Sequence, residues 1–215
     1  MSNPQSAICN LQSEICNRSM AIAELGEAVP RRGNRFSRGF WRAVFRLSGW
    51  HIEGALPNLP KFVIIGAPHT SNWDFPVAMS MVLALGLDAH WIGKHTLFRW
   101  PFGGVMRWFG GIPVVRSERR GVVDQIIEIF ESRERLVFGV SPEGTRKRVD
   151  RWKTGFYHIA VGAGVPIVPA YFDYPRKVIG FGLPLTPSGD KEADIAFLKA
   201  FYTPYALTGK NRHQY

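Results

Sequence analysis

Short apolar runs alternate along most of the chain with stretches in which apolar residues recur at spacings of three and four. The short runs indicate buried strands and the wider spacings indicate amphipathic helices. We predict strands over 62–66, 89–93, 112–115, 136–140 and 166–170, and helical segments over 77–87, 97–108, 122–132 and 156–163. Because buried strands that alternate with helices form parallel sheets, the pattern predicts an α/β fold. A single domain over residues 51–215 would have a largely parallel central sheet flanked by helices.

The stretch 36–50 has its own pattern. One broad face of a helix would carry apolar residues, namely Phe36, Phe40, Trp41, Ala43, Val44, Leu47 and Trp50. The opposite side would carry a narrow stripe of arginines, namely Arg35, Arg38, Arg42 and Arg46. We predict an amphipathic basic helix here, which either lies in a membrane interface or packs on the domain with a solvated arginine edge. Residues 1–35 show weak periodicity and are predicted to form a mobile N-terminal extension.

The composition adds a basic character to this fold. With 46% hydrophobic residues the chain is globular, and its formal net charge of +10 suggests an anionic partner. Nucleic acid, an anionic membrane face and a phosphorylated substrate all qualify. The longest apolar stretch without a charge or a proline, 77–87, is too short to span a bilayer, so we expect a soluble protein or one bound at a membrane surface.

The cysteines do not indicate a disulfide framework or a metal site. Cys9 and Cys16 lie in the N-terminal extension with no Cys or His cluster nearby, so we expect no metal and a reducing compartment. The N-terminus also lacks the charged start and apolar core of a secretory signal. These features favour a cytoplasmic location.

The stretch "PHTSNWD" follows the first predicted strand and carries His69 and Asp74. In α/β sheets, sites form where strands end. The chain turns between the two residues, so the Asp74 carboxylate can reach the Nδ1–H of His69 and leave Nε2 as a general base. A substrate hydroxyl could then take the place of the serine of a Ser-His-Asp triad. The same spacing also fits a helix-capping aspartate beside an ordinary histidine.

The stretch "SPEGTRKR" follows the strand at 136–140. Backbone N–H groups at Gly144, the Thr145 hydroxyl and the Arg146 guanidinium could wrap a phosphate. Glu143 could orient Arg146 or accept a hydrogen bond from a glycerol hydroxyl. Arg116 follows another strand, in "GGIPVVRS". Alone, the glutamate loop also fits a surface turn with a local Glu–Arg pair.

The order and spacing of four blocks are more specific than any one of them. His-x4-Asp, Gly-x-Ile-x-x-x-Arg, Pro-Glu-Gly-Thr-Arg and Val-Pro-Ile-Val-Pro follow one another between about residues 60 and 171. This arrangement resembles the glycerol-phosphate and lysophospholipid acyltransferase family, which includes 1-acylglycerol-3-phosphate acyltransferases. The segment "GKHTLFRWPFGG" is also similar to the family's linking pattern and places Lys94 near the reacting centre.

The resemblance implies an O-acyltransferase with His69 as base and Asp74 orienting it. Arg116 and residues 143–146 would hold the phosphate and glycerol part of the acceptor, and Lys94 would stabilise the oxyanion or the phosphate. The donor would be acyl-CoA or acyl carrier protein, with no cofactor. We expect a peripheral protein on the inner face of the cytoplasmic membrane.

Two other functions fit parts of the sequence. A thioesterase or other hydrolase could use the same His–Asp pair with water as the acceptor. A basic nucleic-acid-binding module would explain the charge, but the arginines cluster in one helix and in the loops of the predicted site, so we expect no nucleic-acid partner.

Overall fold

The computed structural model describes residues 24–114, 121–145 and 151–210. The strands are β1 (His51–Glu53), β2 (Lys61–Ala67), β3 (Ala89–Lys94), β4 (Gly111–Val114), β5 (Leu136–Val140), β6 (Ile167–Asp173) and β7 (Val178–Phe181). The α-helices are α1 (Arg35–Leu47), α2 (Asp74–Leu85), α3 (Gly103–Trp108), α4 (Val122–Ser132), α5 (Gly155–Ala163) and α6 (Lys191–Tyr202). Short 3-10 helices lie at His95–Phe98 and Thr203–Tyr205.

Within these residues the strands form one seven-stranded sheet in the order β1-β7-β6-β2-β5-β3-β4. All neighbouring strands are parallel except β6 and β7, so β1 and β7 run opposite to the other strands. The predicted α/β fold with a largely parallel sheet is therefore confirmed. The carboxyl ends of β2, β3 and β5 share one edge, which we call the carboxyl edge.

The sequence pattern missed β1, β7 and α6, and it joined two elements that the structure separates. The helical segment predicted over 97–108 is the 3-10 helix His95–Phe98 followed by α3, with Pro101 between them. Proline has no N–H to donate and its ring clashes with the preceding turn, so one continuous helix could not form there.

Helices cover both faces of the sheet. On one face, Phe45 of α1 and Val82 of α2 join a core with Phe62, Val137 and Val168 of the central strands. On the other face, residues of α4, α5 and α6 pack on the alternate positions of the same strands. These two buried layers fix the sheet and therefore the ends of its strands.

The helix predicted over 36–50 is α1, but its outline and orientation differ from the prediction. It begins after Asn34, whose side chain accepts a hydrogen bond from Ser37 N–H in a capping box. It ends at Leu47 because Gly49, at φ +79°, turns the chain in a conformation that other residues rarely adopt. Trp50 therefore lies outside the helix and is buried.

The faces of α1 also correct the predicted arginine stripe. Phe45, which the pattern left out of the apolar face, is its buried residue. Arg38 and Arg42 are half-buried against α2, and Arg42 Nε donates to the Ala84 carbonyl at 3.1 Å. Phe36 and Leu47, by contrast, are 87% and 88% exposed. The helix packs on the domain and presents a second apolar side to solvent.

The N-terminal extension predicted over 1–35 does not reach residue 35. Val29 is fully buried, Asp88 N–H donates to the Pro30 carbonyl at 3.0 Å, and Arg32 N–H donates to the Gly86 carbonyl at 2.9 Å. Residues 24–34 thus belong to the folded domain, whereas 1–23 lie outside the described residues. Nowhere in the described ranges does a helix reach the length and apolarity needed to cross a bilayer.

Candidate functional site

The site is built where β2 and β5 end side by side. The register pairs Ile65 with Val140, so the loops that follow these strands leave the carboxyl edge together. His69 lies in the first loop and Glu143 in the second, and the buried Glu143 Oε2 accepts the backbone N–H of His69 at 2.7 Å. Two stretches that are 74 residues apart in sequence are thereby joined directly.

His69 and Asp74 form the predicted pair, with 2.9 Å between Nδ1 and Oδ2. The same Oδ2 accepts the backbone N–H groups of Thr70 and Ser71, each at 2.9 Å. Asp74 is also the first residue of α2, where the helix dipole favours a negative charge. The side chain of Asp74 is 2% exposed and that of His69 is 28% exposed. The carboxylate is therefore fixed and dry, while the imidazole remains accessible to a substrate.

Tyr174 is a third member of this network that the sequence did not indicate. Its hydroxyl donates to Asp74 Oδ1 at 2.6 Å. Burial, reinforced by the bond to Asp74, raises the pKa of Tyr174, so the phenol stays a donor. Its ring packs edge-to-face on Trp50, with 5.0 Å between the centroids. Trp50, predicted on the lipid-facing side of the first helix, instead supports the site from within the domain.

Glu143 has an unusual electrostatic position. Burial raises the pKa of this carboxyl to about 7, against the opposing effect of the His69 N–H bond. A carboxyl with such a pKa is partly neutral near pH 7. An ionised carboxylate here would repel a phosphate, so the raised pKa lessens that repulsion, and the side chain serves to hold the backbone of His69.

The turn after Glu143 requires glycine and brings in a lysine. Gly144 has a φ of +62°, and a Cβ there would lie 2.8 Å from Lys153 Cδ. The Lys153 backbone N–H donates to the Pro142 carbonyl at 2.8 Å, which fixes this approach. Lys153 places a positive charge beside the loop, and sequence reasoning missed it because it lies outside the four blocks.

The other predicted site residues are placed less closely. Lys94 is the last residue of β3, exposed at the carboxyl edge, with β5 between its strand and β2. Thr145 follows Gly144 and is half-buried. Arg116 and Arg146 lie outside the described residues. The structure thus brings His69, Asp74 and Glu143 into contact, with Gly144 next to Glu143.

The C-terminal segment closes over the histidine loop. A Cβ at Gly209 would lie 2.5 Å from the Thr70 side chain, and Lys210 Nζ lies over the Trp73 ring at 4.3 Å from its centroid. Lys153 and Lys210 therefore add positive charge on two sides of the candidate site. In the described residues no group of three or more His, Cys, Asp or Glu side chains could hold a metal ion.

This arrangement suits proton transfer. With Nδ1 engaged by a buried carboxylate, the tautomer and the orientation of the imidazole are fixed, and proton exchange with a substrate would use Nε2. Positive side chains around the loops suit an anionic substrate.

Comparisons with known proteins agree with this geometry. The family model described as "Acyltransferase" matches residues 51–173, which is more than half of the chain. The 1-acyl-sn-glycerol-3-phosphate acyltransferase of Escherichia coli is 33% identical over 110 residues, which cover 48% of this chain and 43% of the relative. The enzyme of the same name from Haemophilus influenzae is 30% identical over 143 residues, covering 62% and 58%.

A solved structure shows the same fold. The crystal structure of the 1-acyl-sn-glycerophosphate (LPA) acyltransferase PlsC from Thermotoga maritima superposes with a TM-score of 0.60 at 21% identity, covering 80% of this chain and 77% of that one. The matched stretches span about half the length of the curated bacterial relatives. Since the family model covers most of the sheet and both site loops, the chain belongs to the acyltransferase family.

Proposed function

We propose that this protein is an O-acyltransferase. It would move a fatty acyl group from a thioester, acyl-CoA or acyl carrier protein, to the hydroxyl of a lysophospholipid or glycerol-phosphate acceptor. The observation that carries the proposal is the contact between His69 Nδ1 and the buried Asp74 carboxylate, at the accessible edge of the sheet. The names of the bacterial relatives support the acyl and acceptor classes.

The proposed reaction is a direct transfer. His69 Nε2 takes the proton of the acceptor hydroxyl while its oxygen attacks the thioester carbonyl carbon. The new C–O bond forms, the C–S bond breaks, and the imidazolium returns the proton to the leaving thiolate. Asp74 stabilises the imidazolium between these steps, as the aspartate of a Ser-His-Asp triad does.

The proposed acceptor site uses the positive charges around the two loops. Lys94, Arg116, Thr145 and Arg146 would contact the phosphate or the oxyanion, with backbone N–H groups at Gly144. Glu143 would act by holding the His69 backbone. Because its pKa is raised to about 7, it would repel the acceptor phosphate less than an ordinary glutamate.

We also propose that the protein works at the inner face of the cytoplasmic membrane. The outward side of α1 exposes Phe36, Phe40 and Leu47, with Arg35 and Arg46 also exposed. Apolar side chains flanked by arginines suit the boundary between acyl chains and anionic headgroups. This side would bring the enzyme to an insoluble acceptor.

An assay with labelled acyl-CoA and lysophosphatidate tests the activity. We expect labelled phosphatidate as the product, and we expect His69→Ala to lower kcat by about 10²–10⁴-fold, the contribution of a positioned general base. His158→Ala, an exposed histidine on α5, is the matched control and should be as active as the wild type. Free fatty acid in place of phosphatidate would identify a hydrolase. Full activity of His69→Ala would refute the proposed base.

A further inference from the structure

A second apolar surface lies far from α1 in sequence. Between β3 and β4, large apolar side chains stand in solvent: Trp100 is 94% exposed and Phe102 67%. Val105 and Trp108 of α3 and Leu97 of the preceding 3-10 helix are about half exposed. We call these five residues the tryptophan surface. Monomeric soluble proteins rarely leave so many large apolar groups together in water, so the surface indicates a partner.

The segment under this surface is firmly attached to the domain. Phe98 is buried and packs against Trp91 of β3, with 6.1 Å between the ring centroids. Trp91 Nε1 donates to the Phe109 carbonyl at 3.0 Å, and Phe75 of α2 packs edge-to-face on both Trp91 and Phe109. These contacts hold the backbone from within, so the outward side chains are presented by a fixed support.

The tryptophan surface and α1 lie on the same face of the sheet. Phe75 belongs to α2, the helix along which α1 packs. The Arg32 guanidinium, three residues before α1, lies over the Trp108 ring at 5.1 Å from its centroid. The start of α1 and the tryptophan surface are therefore neighbours on this face of the sheet.

The charged side chains of the segment that carries the tryptophan surface are all basic. The sequence has no Asp or Glu from 89 to 117. Lys94, His95, Arg99 and Arg107 are all exposed within that range. An anionic partner is therefore favoured over a neutral one.

We propose that the tryptophan surface is a second contact with an anionic lipid bilayer, a proposal that rests on the lipid acceptor of the proposed function. Tryptophan concentrates where acyl chains meet headgroups because its ring is large and apolar but carries an N–H. Arg99 and Arg107 can reach headgroup phosphates from the same segment. A second copy of this chain is disfavoured because it would place the same arginines opposite one another. An acidic donor protein would satisfy the arginines but would not need the aromatic side chains.

This contact would orient the site. The segment leaves β3 at the carboxyl edge, beginning at His95 directly after Lys94, and that edge also carries His69 and Glu143. With both α1 and the tryptophan surface on the bilayer, the loops at the carboxyl edge are held beside the headgroup layer. A lysolipid hydroxyl would then reach His69 without leaving the membrane surface.

Vesicle binding by the full chain tests the proposal. We expect Trp100→Ala with Phe102→Ala to weaken binding to vesicles of phosphatidylcholine mixed with phosphatidylglycerol by about a hundredfold, about tenfold per aromatic side chain. Trp100→Phe should bind nearly as the wild type. Arg99→Gln with Arg107→Gln should weaken binding to the anionic vesicles by about fivefold per residue and leave the weak binding to pure phosphatidylcholine unchanged. Phe197→Ala, an exposed aromatic residue of α6 on the other face, is the matched control.

Fluorescence quenching tests whether Trp100 inserts into the bilayer, independently of the binding affinity. Lipids brominated on their acyl chains should quench the tryptophan fluorescence of the wild type more than that of Trp100→Phe, at equal amounts of bound protein. Equal quenching, or an alanine double variant that binds vesicles as the wild type does, would overturn the proposal. So would a double variant that keeps vesicle binding but changes oligomeric state, or that loses activity only with acyl carrier protein as donor.

The two proposals fail differently. Vesicle binding that depends on Trp100 and Phe102, in a protein that forms no phosphatidate, would leave the membrane surface standing and refute the enzyme. Normal turnover of a monomeric short-chain acceptor by the double variant, with unaltered vesicle binding, would refute only the membrane surface.

Discussion

Asp74 both holds the loop that carries His69 and supplies a negative charge beside the imidazole, and two substitutions separate these roles. Its Oδ2 accepts from His69 Nδ1 and from two buried backbone N–H groups, those of Thr70 and Ser71. Its Oδ1 accepts from the Tyr174 hydroxyl. In Asp74→Asn, the amide oxygen can occupy the Oδ2 position and keep the three bonds there, while the amide N–H₂ donates to the Tyr174 oxygen. Asp74→Ala removes every acceptor.

The structure gives an expected loss in the free energy of unfolding for each of these two variants. A buried donor left without an acceptor costs about 1–3 kcal/mol, so the two backbone N–H groups predict a loss of about 2–6 kcal/mol in the free energy of unfolding for Asp74→Ala. For a chain of this size each kcal/mol lowers Tm by about 2–4 °C, so a fall of about 10 °C is expected. Asp74→Asn keeps the bonds but weakens them by losing the charge, which predicts about 1–2 kcal/mol.

The effect on activity should be clearest in Asp74→Asn, the variant that loses less stability. Asp74→Asn retains the loop but removes the charge that stabilises the imidazolium, so kcat should fall by about 10²–10⁴-fold in a protein that is only slightly less stable. Thermal unfolding followed by circular dichroism, and kcat for labelled phosphatidate formation below each Tm, measure the two effects. If Asp74→Ala melts within a degree or two of the wild type, the carboxylate does not hold this loop. If Asp74→Asn keeps full kcat, the charge has no part in catalysis.

Three further predictions concern the surroundings of the site. Burial raises the pKa of Glu143 to about 7, above its usual 4.5, so the folded protein binds more protons than the unfolded chain between those pH values. The free energy of unfolding should therefore fall as pH rises from about 4.5 to 7. Urea unfolding at pH 5 and pH 7.5 should show this fall in the wild type but not in Glu143→Gln. Tyr174→Phe should lower kcat by about tenfold, the equivalent of one hydrogen bond to a charged group, with little change in acceptor KM. An unchanged kcat would show that the bond to Asp74 is only structural. Phe45→Ala should lower the free energy of unfolding by about 3–5 kcal/mol, whereas Phe40→Ala, at an exposed position, should change it by less than about 0.5 kcal/mol. If urea unfolding gives the two variants similar losses, the orientation of α1 is contradicted.

The sequence predicted those parts of the structure that depend on local pattern. Strands β2, β5 and β6 were found because each is an apolar run that is mostly buried, and β3 and β4 were found as short apolar runs although they are only partly buried. The His69–Asp74 contact was foreseen because both residues lie in one turn, where only a few conformations are available. By contrast, β1 has three residues, alternating in burial, and offers too short a pattern to recognise.

Contacts that depend on topology could not be read in this way. Tyr174 lies 100 residues from Asp74, and only the reversal from β6 to the antiparallel β7 brings its hydroxyl to the carboxylate. Glu143 was assigned to Arg146 or to substrate because its sequence neighbours suggested it. The pairing of β2 with β5 instead gives it the backbone N–H of His69, and no local signal distinguishes these partners.

The first helix shows why a helical wheel is not sufficient. The wheel defines which residues share a side but not which side meets the rest of the protein. Contacts with α2 determine the orientation of α1. The Ala84 carbonyl accepts a hydrogen bond from Arg42 Nε. A Cβ at Gly86 would lie 2.3 Å from Arg38 Cδ, so the glycine that ends α2 leaves room for this arginine. Two of the four arginines are thereby engaged by the domain.

That division changes the expected strength of membrane binding. Each basic residue near an anionic leaflet contributes about 1 kcal/mol, so Arg35 and Arg46 would supply about 2 kcal/mol where the full stripe would have supplied about 4. The outward apolar side is likewise reduced to Phe36, Phe40 and Leu47, because Trp50 is buried. A helix with so small an outward surface would bind a bilayer weakly by itself. Arg99 and Arg107, beside Trp100 and Phe102 on the same face, would restore both the charge and the apolar area that α1 gives to the domain.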